Sequence, residues 1–160
     1  MSRCVIGIDP GADGAIVEID ADNPDQTPIA HCLKGRSILG IAEWLHGDDI
    51  CLVVLERVQA MKGGGKGDGA KSAFSFGRNI GHLEAILELQ RCPYITVRPQ
   101  EWKNQVLAGH PWRKDKRASI DYVHHRFPKL SLLRTDKCTV DHTGIADATC
   151  LALYGLKEIV

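Results

Sequence analysis

The sequence lacks several features that would fix its class at once. No apolar run exceeds about six residues, far short of the roughly 20 that a membrane-spanning helix needs, so no membrane role is expected. The N-terminus has no charged, apolar and small-residue blocks of a signal peptide, which predicts a cytoplasmic protein. None of the six cysteines (Cys4, Cys32, Cys51, Cys92, Cys138, Cys150) forms a C-x-x-C pair. Most of them interrupt apolar stretches, so they read as reduced, small core residues rather than a zinc site. The glycine-rich segment after Glu56 lacks the G-x-x-x-x-G-K-[ST] phosphate loop, and no nucleotide cofactor is expected. No internal repeat is present.

Net charge is lacking too, at +0 over 160 residues, but the zero conceals a division. From Arg57 to Lys137 there are 16 Lys/Arg against 7 Asp/Glu, a surplus of nine. The flanks hold the other 4 basic and 13 acidic residues, a deficit of nine. A basic central stretch suits a phosphate-binding face, although a segregated solvated surface would look the same. With 44% hydrophobic and 25% charged residues, the chain reads as one globular domain spanning 1–160.

Residues 3–9 read as a strand buried on both faces, and Pro10-Gly11-Ala12-Asp13-Gly14 as a turn returning Ala15–Ile19 antiparallel to it. Thr27–Leu33 is a third strand. Ser37 is a candidate N-cap for a helix with Ile38, Ile41, Ala42 and Leu45 on one side. Ile50–Leu55 is a continuous apolar strand. A Gly/Lys-rich loop at about 59–70 cannot hold a regular element and is expected to be mobile. A helix follows to about Gln90, then a short strand at Cys92–Val97. Further helices are expected at about 100–108, 113–126 and 142–157. Three strands followed by helices alternating with two more strands predict an α/β fold with a five-stranded mixed sheet flanked by helices.

Against that framework three carboxylates stand out. Asp9 closes Cys4–Ile8, Glu56 closes Ile50–Leu55, and Asp147 lies inside the apolar run Gly144–Leu153. An unpaired buried carboxylate costs several kcal/mol or is neutralised, and no Lys or Arg adjoins Asp9 or Asp147 in sequence. A shared divalent cation would hold all three, and oxygen ligands suit Mg2+ or Mn2+. Adjacent parallel strands would bring Asp9 and Glu56 to about 5 Å spacing. Each acid alone has a plainer reading: a turn-initiating Asp, a strand-end Glu pairing with Arg57 or Lys62, and an Asp paired across an interface. Asp141 and His142 either join the site or cap the last helix.

Five segments together resemble the RuvC-type Holliday junction resolvases of the RNase H-like superfamily. They are Gly7-Ile8-Asp9-Pro10-Gly11, Leu55-Glu56-Arg57-Val58-Gln59, Gly77-Arg78-Asn79-Ile80-Gly81, Arg98-Pro99 with Trp102-Lys103, and Ala146-Asp147-Ala148 with Leu151-Ala152. Trp102-Lys103 and Asp141-His142 are most similar to the small bacteriophage resolvases. The resemblance implies an RNase H-like fold, a homodimer, four-way junction DNA as partner, and Mg2+-dependent endonuclease activity in a bacterial or phage-infected cytoplasm.

It also implies roles residue by residue. Asp9, Glu56 and Asp147 match the metal-binding acids, with Asp9 bridging two ions roughly 3.5–4 Å apart. The family's fourth ligand, an Asp or His three residues before the last acid, is here Gly144. Either Asp141 or His142 replaces it, or three acids and water suffice. Lys103 and Lys116 match lysines that meet phosphates near the scissile bond, with Lys116 expected to act in catalysis. Arg113, Lys114 and Arg117 extend a phosphate track, Lys62, Lys66 and Lys71 suit contacts with DNA near the junction centre, and Arg78 is a further DNA-binding residue. A related nuclease for flap, branched or hybrid substrates is the nearest alternative. A catalytically silent junction-binding module is the other.

Overall fold

The structure is a computed structural model, and it describes residues 3–57, 68–110, 115 and 117–159. The sheet has five strands in the order β3-β2-β1-β4-β5. They are β1 (Cys4–Asp9), β2 (Ala15–Asp20), β3 (Ile29–Cys32), β4 (Ile50–Glu56) and β5 (Tyr94–Val97). β1, β2 and β3 form an antiparallel meander, while β4 and β5 run parallel to β1. The helices are α1 (Ile38–Trp44), α2 (Asp68–Leu89), α3 (Pro99–Val106), α4 (Ala118–Arg126) and α5 (Thr143–Glu158). This is the expected α/β fold, a five-stranded mixed sheet flanked by helices.

Alternation along the strands divides the core. Ile6, Ile8, Val53 and Leu55 pack with Leu83, Ile86 and Leu87 of α2, below one face. Val17, Leu52, Val54 and Val97 pack with Trp102, Ile120 and Leu151, under α3, α4 and α5 on the other face. Because both faces are covered, the central strands read as unbroken apolar runs rather than alternating ones.

Two local features set the position of the carboxylates. The first is a shift of register between β1 and β4: Cys4 pairs with Ile50, but Val5 pairs with Leu52. The residue passed over is Cys51. Ile50 therefore belongs to the α2 side while Leu52 and Val54 face α5, and Glu56 follows them there. Since strand periodicity is two, a ladder without the shift would send Glu56 to the opposite face from Asp9. The second is a stripe of small residues on α5. A Cβ on Gly7 would overlap the Ala148 carbonyl oxygen and the Ala152 nitrogen. A Cβ on Gly155 would lie 2.7 Å from side-chain carbons of both Val5 and Val54. Helix and strand thus meet backbone to backbone, which draws Asp147 down toward the end of β1.

Several expected boundaries move. β3 and β5 are shorter than expected, α4 starts at Ala118, and α2 begins at Asp68 inside the segment read as loop. Ser37 does cap α1: its Oγ accepts from the Gly40 N–H at 3.1 Å. The expected apolar side of α1 does meet the core: Leu45 at its C-cap is fully buried and Ile41 and Ala42 pack half-buried against the α2-side cluster, while Ile38, 51% exposed, does not. No helix among the described residues is long and apolar enough to cross a membrane. The remainder of the expected glycine-rich loop lies outside the described residues.

Candidate active site

Asp9 and Glu56 end adjacent parallel strands, one step beyond the Ile8–Leu55 pair, and both side chains project toward α5. The Pro10–Gly14 turn folds back at once, with the Gly14 N–H donating to the Gly11 carbonyl at 2.9 Å. This places the Gly11 N–H 3.0 Å from Asp9 Oδ1, where it donates. Gly14 is required there, since a Cβ would overlap the Asp9 carbonyl oxygen. Glu56 is 7% exposed, and its Oε1 accepts from the Trp102 indole N–H at 2.9 Å. Trp102 is fully buried on α3, so the donor is held by core packing. Asp147 on α5 accepts from the hydroxyl of Ser119, itself buried on α4. Three helices and two strands thus each contribute one part.

All three acids are held above their ordinary pKa. Burial pushes Asp9 up to about 6, opposed by the Gly11 N–H and aided by the charge of Asp147. Burial pushes Glu56 up to about 7, with Trp102 opposing and the charges of Asp9 and Asp147 adding. Asp147 rises for the same first reason, opposed by Ser119. The mutual repulsion shows that the acids share one field. Among the described residues, Lys103 is the cation that lowers all three. Its ammonium lies 5.2 Å from the centre of the Trp102 ring, at the exposed border of the site.

Asp141 does not join this group. Its Oδ2 lies 2.9 Å from His124 Nε2 and 3.7 Å from the Arg117 guanidinium. Gly144 explains why no acid stands three residues before Asp147. A Cβ there would overlap the Asp13 carbonyl oxygen and come within 3.2 Å of Gly14 Cα, so the β1–β2 turn fills the space a side chain would need. The ring of His142 lies beside Gly144, and both its nitrogens are buried without a partner among the described residues. Among the described residues, no three His, Cys, Asp or Glu side chains already close around one point as a metal centre.

The basic residues divide similarly. Arg117 is exposed and paired with Asp141, and Lys71 and Arg78 are exposed on α2. Lys62, Lys66, Arg113, Lys114 and Lys116 lie outside the described residues. Two side chains that hold the acids were given no such role from sequence. Trp102 was visible only as part of a motif, and Ser119 carried no signal at all. The small residues Gly144, Ala148, Ala152 and Gly155 mark the face of α5 that meets the sheet and its β1–β2 turn.

No family model matches the chain, and no curated protein matches it. Solved structures do. Thermus thermophilus RuvC in complex with Holliday junction substrate superposes with a TM-score of 0.64 at 15% identity, covering 98% of this chain and 95% of that one. A second Thermus thermophilus RuvC structure gives 0.62 at 19% identity, covering 98% and 96%. The fowlpox virus Holliday junction resolvase gives 0.59 at 17% identity, covering 99% and 100%. The chain therefore has the RuvC-type resolvase fold, over nearly its whole length.

Proposed function

We propose that this chain is a structure-specific, metal-dependent endonuclease that cleaves four-way DNA junctions by phosphodiester hydrolysis. The observation that carries the reading is the convergence of Asp9 and Glu56, at the ends of β1 and β4, with Asp147 of α5 in a RuvC-type fold, each desolvated and each held by a neutral donor. Acids used for structure alone would be paired with cations. Among the described residues one exposed lysine, Lys103, serves three carboxylates, which leaves negative charge for a bound cation to neutralise.

By donor chemistry the three acids fit hard divalent cations such as Mg2+ or Mn2+. Two such ions would supply an activated water and charge neutralisation at the leaving 3′ oxygen. The chain's own residues do the positioning. The Gly11 N–H fixes the Asp9 carboxylate, Trp102 fixes Glu56, and Ser119 fixes Asp147. Lys103, at the open border, meets a phosphate beside the scissile bond, and Lys116 would share this work. Arg113, Lys114, Arg117, Lys62, Lys66, Lys71 and Arg78 would track the flanking backbone. With Asp141 engaged by His124, the site works with three acids. A twofold homodimer would offer two such sites to a near-symmetric junction.

The test is cleavage of a mobile four-way junction, mapped to the nucleotide, with flap, duplex and RNA–DNA hybrid substrates beside it. Asp9→Asn and Glu56→Gln are expected to lower nicking by roughly 10²–10³-fold or more while junction binding persists, because neither change touches the basic residues. Full Mg2+-dependent cleavage by Asp9→Asn would overturn the assignment. Binding without nicking by the unaltered protein would instead favour a silent junction-binding module.

A further inference from the structure

A cavity on the other side of the Pro10–Gly11 turn has no part in the hydrolysis just described. It has a volume of about 290 Å³ and lies between that turn, the start of α1 and the middle of α2. Leu83, 2% exposed, and Ile41 give it an apolar floor. Ile38 stands at its mouth, which accounts for an isoleucine that α1 leaves half in water. Arg36 lies beside it with its guanidinium 4.6 Å over the Trp44 ring, which in turn stacks on His31 at 4.1 Å. Asn79 and His82 line it from α2, and neither side chain has a hydrogen-bond partner among the described residues. Among the described residues, no Asp or Glu lines the cavity.

An apolar floor, two uncommitted polar groups and a cation at the rim suit a flat, polar-edged ring attached to a phosphate. The amide of Asn79 offers two donors and an acceptor, the pattern that reads a base edge. An unstacked base is recognised through such edge contacts together with apolar cover for its faces. Gly11 joins this cavity to the carboxylates, since it lines the cavity while its N–H holds Asp9 at 3.0 Å. A strand whose phosphate sits at Asp9 would therefore have a neighbouring nucleotide at the cavity mouth.

We propose that this cavity receives one unstacked nucleobase next to the scissile phosphate, read by Asn79 and His82, and so sets the base preference of cleavage. The assignment rests on the nuclease reading above. A four-way junction favours it, because bases at a crossover are the least costly to unstack.

The full chain is mixed, without divalent metal, with a four-way junction carrying 2-aminopurine, whose fluorescence recovers on unstacking. The probe is moved one nucleotide at a time across the mapped cleavage position. One position is expected to brighten severalfold, and Ile38→Trp, which fills the mouth from an exposed site, is expected to abolish the rise. Asn79→Ala and His82→Ala are expected to relax base preference at that position by about tenfold. Brightening at no position overturns the proposal, as does a rise that survives Ile38→Trp with base preference unchanged in the other two variants. Brightening without nicking in Mg2+ leaves the cavity assignment standing and removes the hydrolytic reading. Nicking without brightening does the reverse, and failure to bind the junction removes both.

Discussion

Glu56 is held by an indole N–H instead of a lysine, and that governs how the site handles charge. A salt-bridged glutamate would be neutralised before any cation arrived. A neutral donor fixes the carboxylate's direction and leaves its charge free, at the cost of the raised pKa. Trp102→Phe keeps most of the buried ring and deletes only the donor. The variant should lose about 1–2 kcal/mol of stability, lose roughly tenfold in cleavage, and need more Mg2+ for half-maximal rate. Denaturant unfolding and a Mg2+ titration of nicking check this. A stability loss with an unchanged Mg2+ requirement would reduce Trp102 to a core residue. Gly144 is the opposite case, a position where the chemistry of the resemblance yields to packing. Gly144→Asp restores the family's acid on paper but drives a side chain into the Asp13 carbonyl oxygen. It should destabilise by about 2–3 kcal/mol and gain no activity. A more active, equally stable variant would mean that the turn gives way easily.

At the scale of elements, the site depends on how α5 and β4 meet β1. The strands were legible because their apolar runs are long and end in turn residues. Asp9, Glu56 and Asp147 were legible because each interrupts or ends such a run. The register shift at Cys51 was not, since a strand buried on both faces shows no alternation from which a phase could be read. The exposure of Ile38 was hidden for a related reason: helical periodicity marks an apolar side without saying whether anything covers it. The α5 contact, by contrast, can be put to the test. Ala152 touches β1 at Gly7, more than a turn of helix from Asp147 and away from any proposed DNA contact. Ala152→Leu should lift α5 from the strand and cost about 1–3 kcal/mol. Because the lift separates Asp147 from Asp9, cleavage should fall further than stability explains, with a raised Mg2+ requirement. Normal Mg2+ dependence in the folded variant would show that the acids are positioned without this contact.

Over the whole molecule, the proposed function makes the acidic site and the basic central stretch serve one substrate. A negative cluster at the ends of the central strands would repel DNA unless cations filled it, so binding of metal and of substrate should reinforce each other. The same charge has a consequence for stability. Folding raises Asp9 from 3.8 to about 6 and Glu56 from 4.5 to about 7. The metal-free native state therefore holds more protons than the unfolded chain between those values. Stability from these two groups is greatest below their unfolded pKa values, near pH 4, and is lost as pH rises through 6 and 7. A divalent cation held by the ionised acids, as proposed, would reverse the loss. Thermal melts at about pH 5 and about pH 8, with and without Mg2+ or Mn2+, separate the two contributions. At ~100 times the dissociation constant, the metal should raise Tm by about 5–10 °C at the higher pH and by much less at the lower. The increment should vanish in Asp9→Asn. An equal rise at both pH values, or one that survives that substitution, would place the ion elsewhere on the molecule.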